Sequence, residues 1–135
     1  MVELMAEEPK NVASTKRVLI VDDNEDSAYM LSAMLRMNGY DVVMAHDASE
    51  ALTVVDRGAV DIAVIDIGLP VMDGNELAKL LRANVRTTKC KLVALTGHGG
   101  AADIARTTSS GFDEHLVKPV DMAHLLRVLA DNAVC

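Results

Sequence analysis

The stretch VDIAVIDIGLPVMDG, residues 60–74, decides the fold. Its apolar run, Ile62 to Ile65, is built from β-branched and small residues and ends in a carboxylate, Asp66. A run apolar on both faces reads as a strand buried within a parallel sheet rather than one lying on its surface. Gly68 and Pro70 make a short turn, and Asp73-Gly74 opens an amphipathic segment. A buried strand that carries one acidic side chain to its C-terminal mouth suits chemistry, and its role depends on what other strands bring there.

Upstream, Arg17 to Val21 is a second short run of the same kind, closed by Asp22-Asp23. Asn24 to Asn38 reads as a helix, capped by Asp23 or Asn24, with Glu25 and Asp26 at the positive end of its dipole and Gly39 just past its end. Its inward face is Ala28, Leu31 and Leu35; Met30, Met34 and Met37 read as core and helix-contact filler rather than as a docking stripe. Tyr40 to Ala45 is a strand, and Asp47 with Glu50 has the spacing of a capping box for a helix ending near Gly58. Downstream, a helix is expected over Asn75 to Asn84 with Leu77, Leu80 and Leu81 on one face. Lys91 to Thr96 is the fourth strand and GHGG, residues 97–100, a turn. The helix Ala101 to Ser110 is weak, with Ile104 its one large apolar residue. Glu114 to Val117 is the fifth strand, and Asp121 caps a last helix bearing Met122, Leu125, Leu126 and Leu129.

Five strands alternating with five helices predict a three-layer α/β (βα)5 fold of the flavodoxin-like, doubly wound type. Right-handed crossovers lay down a five-stranded parallel sheet whose common order is 2-1-3-4-5. Ligands of such sheets bind at the carboxyl ends of the strands flanking the switch point between strands 1 and 3. Asp22 and Asp23 end strand 1 there, Asp66 ends strand 3, Thr96 ends strand 4, and Lys118 follows strand 5. Three carboxylates in one crevice repel one another, and a hard divalent cation such as Mg²⁺, with its octahedral oxygen shell, resolves the conflict. A metal beside a carboxylate suggests phosphoryl transfer, with Asp66 as nucleophile and Asp22 and Asp23 as metal ligands.

The 135 residues, half of them hydrophobic and a quarter charged, suit one domain: a flexible tail over 1–15 and the folded unit over 16–135. A net charge of −7 disfavours nucleic acid, and Tyr29, Tyr40 and Phe112 are too few for a base-stacking platform. No apolar run has membrane-spanning length and no secretory signal is legible, so a cytoplasmic protein is expected. Cys90 and Cys135 have no metal or redox spacing.

The segments VLIVDDN at 18–24, DIGLPVMDG at 66–74, ALTGHG at 94–99 and GFDEHLVKPVD at 111–121 together resemble a receiver domain of a two-component response regulator, most closely those of hybrid histidine kinases or phosphorelays. The resemblance implies a phosphorylatable signalling module, not an enzyme acting on other substrates. It implies Asp66 as phosphoacceptor from a phosphohistidine, with slow autodephosphorylation. It implies Mg²⁺ held by Asp23 directly, by Asp22 through water, by Asp66 and by the Gly68 carbonyl. Thr96 then bonds the phosphoryl group and moves inward, Lys118 pairs with a phosphoryl oxygen, and the Lys118-Pro119 peptide is a candidate cis bond. Partners implied are a histidine kinase or a histidine phosphotransfer protein, with an effector on the face of the fourth helix, fifth strand and fifth helix.

His115 departs from the pattern, standing where receivers carry a switch Tyr or Phe. A smaller, polar imidazole there predicts weak or pH-sensitive switching. Gly68 leaves the acceptor unshielded. His98 is expected in solvent beside the site, and His46 and His124 at the surface. A haloacid-dehalogenase-like phosphatase is disfavoured because Gly68 stands where its general acid belongs. A flavodoxin-like cofactor binder is disfavoured because DDNED, residues 22–26, is acidic where a phosphate loop is needed.

Overall fold

The structure, a computed structural model, describes residues 16–97 and 99–130. The proposed tail over 1–15, His98 and Cys135 lie outside these residues. The strands are β1 (Arg17–Val21), β2 (Asp41–Ala45), β3 (Ile62–Asp66), β4 (Lys91–Thr96) and β5 (Glu114–Val117). The helices are α1 (Glu25–Met37), α2 (Ala48–Arg57), α3 (Gly74–Ala83), α4 (Ala101–Ser110) and α5 (Met122–Ala130). The strands form one parallel sheet of order β2-β1-β3-β4-β5, as expected from the alternation of elements.

The pleat sorts the central strands between two apolar layers. Leu19, Val21, Ala63, Ile65, Leu92 and Ala94 pack with α2 and α3, while Val18, Ile20, Ile62, Val64, Val93 and Leu95 pack with α1 and α5. All of β3 and β4 is buried, which is why their sequences run apolar without alternation.

Local details refine several expectations. Asn24 is the cap of α1, its side chain accepting from Ser27 N, and Gly39 beyond the end has φ 91°. Asp47 caps α2, but Glu50 turns its carboxylate to the backbone and ring of His46 rather than to Asp47 N, so no reciprocal box forms there. The reciprocal box belongs to Asp73 and Glu76 at α3. Leu80 points outward, because Leu77, Ala78 and Leu81 already fill that helix's contact stripe. Met30, Met34 and Met37 are not core filler. They stand exposed on α1, whose inward face is complete with Ala28, Leu31 and Leu35. The weakness of α4 is visible: its N-cap Gly100 has no side-chain cap bond, and its buried residues are Thr107 and Ser110.

The sheet edge away from the Asp66 end is clamped by Arg82. Its guanidinium donates to the carbonyls of Gly111, Thr88 and Cys90 and to Asp113 Oδ2, which also accepts from Leu92 N. Near this edge Lys91 is buried and its Nζ donates to Val128 O in the last turn of α5.

Candidate functional site

Parallel strands in register end together, so the carboxyl end of the sheet gathers whatever each strand carries last. Val21 pairs with Ile65, which sets Asp22 beside Asp66 one step further on. Asp66 pairs with Leu95, which sets Thr96 at the same rim, and Lys118 N donates to Thr96 O at 2.8 Å. Asp22, Asp66 and Thr96 are 1%, 7% and 8% exposed, whereas Asp23 and Lys118 reach solvent. One ligand oxygen from each of Asp22, Asp23 and Asp66 can be chosen so that all lie within 4.8 Å of one another.

Each carboxylate is aimed by its own hydrogen bonds. Asp22 Oδ1 accepts from Asn24 N at 3.0 Å, the turn that starts α1. Asp66 Oδ1 accepts from Gly68 N at 2.9 Å, and Oδ2 takes Lys118 Nζ at 2.8 Å. Burial pushes the Asp22 carboxyl above its ordinary range. The Asn24 N–H opposes that shift, the charge of Asp66 adds to it, Lys118 offsets it, and contact with the Asp66 carboxyl raises it further. The cluster therefore carries more negative charge than one lysine balances.

Close backbone packing holds Asp66 from behind. Gly74 N donates to Ile67 O, and a Cβ on Gly74 would lie 2.7 Å from Asp66 O and 2.8 Å from Ile67 Cα. Between them, Val71 adopts φ 68° and Met72 N donates to Pro70 O at 2.8 Å, a γ-turn of the rare, strained hand around a β-branched residue. Arg106 of α4 reaches Asp73 Oδ2 at 3.4 Å, linking that helix to the loop after Asp66.

Of the residues singled out in sequence, Asp22, Asp23, Asp66 and Lys118 converge directly. Gly68 touches Asp66 through its N–H, Thr96 stands on the same rim, and the Lys118-Pro119 peptide is cis. His115 is half-buried in β5 opposite Ala94, on the face of the sheet that also carries Thr96. A cavity of about 430 Å³ beside the cluster was not foreseen; Asp22 and Lys118 line it together with Met30, Met34, Val120 and Met122. Met30 and Met34, at i and i+4 on α1, are its signal in the sequence.

The response regulator receiver domain profile matches residues 18–130, nearly the whole described chain. The chain belongs to the response regulator receiver family. Its receiver is 35% identical over 112 residues to a 14.6 kDa protein of Leptolyngbya boryana, covering 83% of this chain and 86% of that one. It is 32% identical over 116 residues to the CAI-1 autoinducer sensor kinase/phosphatase CqsS of Vibrio cholerae, covering 85% of this chain but 17% of that kinase. Among solved structures, the receiver resembles the chemotaxis protein CheY4 of Vibrio cholerae, with a TM-score of 0.83 at 30% identity over 86% of this chain and 97% of that one. It also resembles the receiver domain of the sensor histidine kinase PA1611 from Pseudomonas aeruginosa, with a TM-score of 0.78 at 30% identity over 85% and 94% of the two chains. That neighbour coordinates a magnesium ion in its active-site cleft. The receiver is thus a phosphorylatable module of two-component signalling, and among its described residues no helix is long and apolar enough to cross a membrane.

Proposed function

We infer that this receiver, working in the cytoplasm, accepts a phosphoryl group from a phosphohistidine onto Asp66 and loses it slowly to water. The observation that carries the reading is the convergence of three carboxylates within 4.8 Å, with Lys118 2.8 Å from Asp66, at the end of two adjacent central strands. In the transfer, an Asp66 carboxylate oxygen bonds to phosphorus, the P–N bond breaks, and the donor ring, protonated on its other nitrogen, leaves with the bonding pair as neutral imidazole. Lys118 passes from the free carboxylate to a phosphoryl oxygen, Thr96 supplies a hydroxyl donor on the same rim, and Gly68 puts no side chain in the path of donor or water. The module has no substrate besides itself.

The donor set fits Mg²⁺: three hard oxygens lie close together, and the charge of Asp66 helps to raise Asp22. Asp23 and Asp66 would hold the ion directly, Asp22 through water, with the Gly68 carbonyl as a further ligand. When bound, the ion neutralises charge on the phosphoryl oxygens.

The donor is a histidine kinase or histidine phosphotransfer protein, and its histidine-bearing helix lies along the cavity between α1 and the β5–α5 connection. The cavity is continuous with the acceptor, since Asp22 and Lys118 belong to both, and the exposed Asp23, Glu25 and Asp26 beside it suit a helix with basic flanks. The effector reads the face formed by α4, β5 and α5, with Thr96 and His115 as the switching pair. Nucleic acid and membrane are not partners.

The test is incubation with Mg²⁺ and acetyl phosphate, followed by intact mass. Wild type is expected to gain one phosphate and Asp66→Asn none. A stable gain in the variant, or none in wild type, overturns the assignment.

A further inference from the structure

We propose that Met30 and Met34 are sulfoxidation sites, and that their oxidation closes this receiver to its protein phosphodonor while leaving Asp66 reactive. The inference rests on the donor reading above and adds a modification to it. Met30, Met34 and Met37 fall on one face of α1 and are 65%, 38% and 81% exposed. Met44, Met72 and Met122 are half-buried, so the thioethers of α1 meet a solvent oxidant first among the described residues. Met30 and Met34 also line the cavity that Asp22 and Lys118 share with the acceptor, whereas Met37, further along the helix, does not.

The oxidant is a hydroperoxide. The thioether sulfur attacks the distal peroxide oxygen, the O–O bond breaks, and the displaced oxygen leaves as water or an alcohol after taking up the peroxide proton. Sulfur loses two electrons and the peroxide gains them. The product is a polar, hydrated sulfoxide in place of a flexible apolar side chain. A donor helix seated on the groove must then strip water from the sulfoxide oxygens without offering them hydrogen bonds from its apolar ridge. A small phosphodonor enters over Gly68 and needs no groove, so its reaction with Asp66 is spared.

The experiment uses the full chain, untreated or treated with hydrogen peroxide, with oxygen additions mapped by peptide mass. Phosphorylation is timed with acetyl phosphate and with a phosphorylated histidine phosphotransfer domain chosen from a panel for fastest transfer to the untreated chain. Oxygen is expected on Met30 and Met34, with a drop of about tenfold or more in transfer from the protein donor and a change under about twofold with acetyl phosphate. Peroxide should leave the transfer rate of M30L/M34L close to that same variant's untreated rate, whereas M37L should show the full loss. Unchanged protein-donor transfer after oxidation, equal losses with both donors, or unoxidised Met30 and Met34 would each overturn the proposal. Failure of the untreated chain to react with acetyl phosphate instead overturns the phosphoacceptor reading beneath it.

Discussion

Replacing Gly74 with alanine tests how Asp66 is held. The added methyl carbon would stand 2.7 Å from Asp66 O, 2.8 Å from Ile67 Cα and 3.1 Å from Ile65 Cγ2. The two nearest atoms are backbone, one of them in β3 itself, so neither can swing aside as a side-chain tip would. Overpacking of this kind costs about 1–3 kcal/mol, and alanine returns up to about 1 kcal/mol of helix propensity at the start of α3. The net loss is about 1–2 kcal/mol, or a fall in Tm of about 3–10 °C for a domain of this size. The shift should also move Asp66 and slow its phosphorylation by acetyl phosphate. Gly68→Ala is the internal control, since a Cβ there meets only Asp66 Oδ1 at an ordinary 3.6 Å. Urea melts of both variants, with the phosphorylation rate of each, decide the matter. If Gly74→Ala melts with wild type, or the two variants lose equal stability, the close approach of α3 to β3 does not hold Asp66 and the reasoning is wrong.

Three further outcomes are expected. Val71→Gly should raise stability by up to about 1 kcal/mol in thermal melts, because glycine takes a positive φ without the strain of a β-branched side chain and the fully exposed valine buries nothing that would be lost. Asp22→Asn should raise Tm in chelator and abolish the rise that Mg²⁺ gives wild type. The Asp22 carboxyl titrates higher folded than unfolded, so its contribution is favourable below the unfolded value and is lost as pH rises through the folded one; the Tm difference between variant and wild type should shrink on acidification. Arg82→Met should cost about 2–4 kcal/mol in urea melts through its unpaired carbonyls and Asp113, and unaltered stability would show the clamp to be idle.

What the sequence disclosed follows from what is local to it. A β-branched run ending in an acid is a statement about neighbouring residues, so β1 and β3 with Asp22, Asp23 and Asp66 were legible. Alternation of elements then implied the sheet order. Which side of a helix stays uncovered is a statement about distant elements. The contact stripe of α1 is filled by Ala28, Leu31 and Leu35, and the spacing of Met30 and Met34 alone does not separate filler packed on a neighbour from side chains facing a cavity. Leu80, at a helical spacing that suits the inward face, turns outward for the same reason. At Asp47 the spacing of a capping box was present, yet the carboxylate of Glu50 was taken by His46, a competitor one residue outside the motif. The Arg82–Asp113 pair spans 31 residues of chain, beyond any periodicity.

Arg82 also divides the molecule by kind of damage. The residues that meet at Asp66 sit at one end of the sheet, and the guanidinium that gathers α3, the loop before β4, the end of α4 and the approach to β5 sits at the other. If Asp66 is the phosphoacceptor as proposed, its loss leaves a folded protein that is silent. A lesion at Arg82 leaves the reactive groups intact but thins their supply, because the unfolded fraction is what cellular proteases remove. The two failures have different genetic signatures: overexpression rescues the second and not the first.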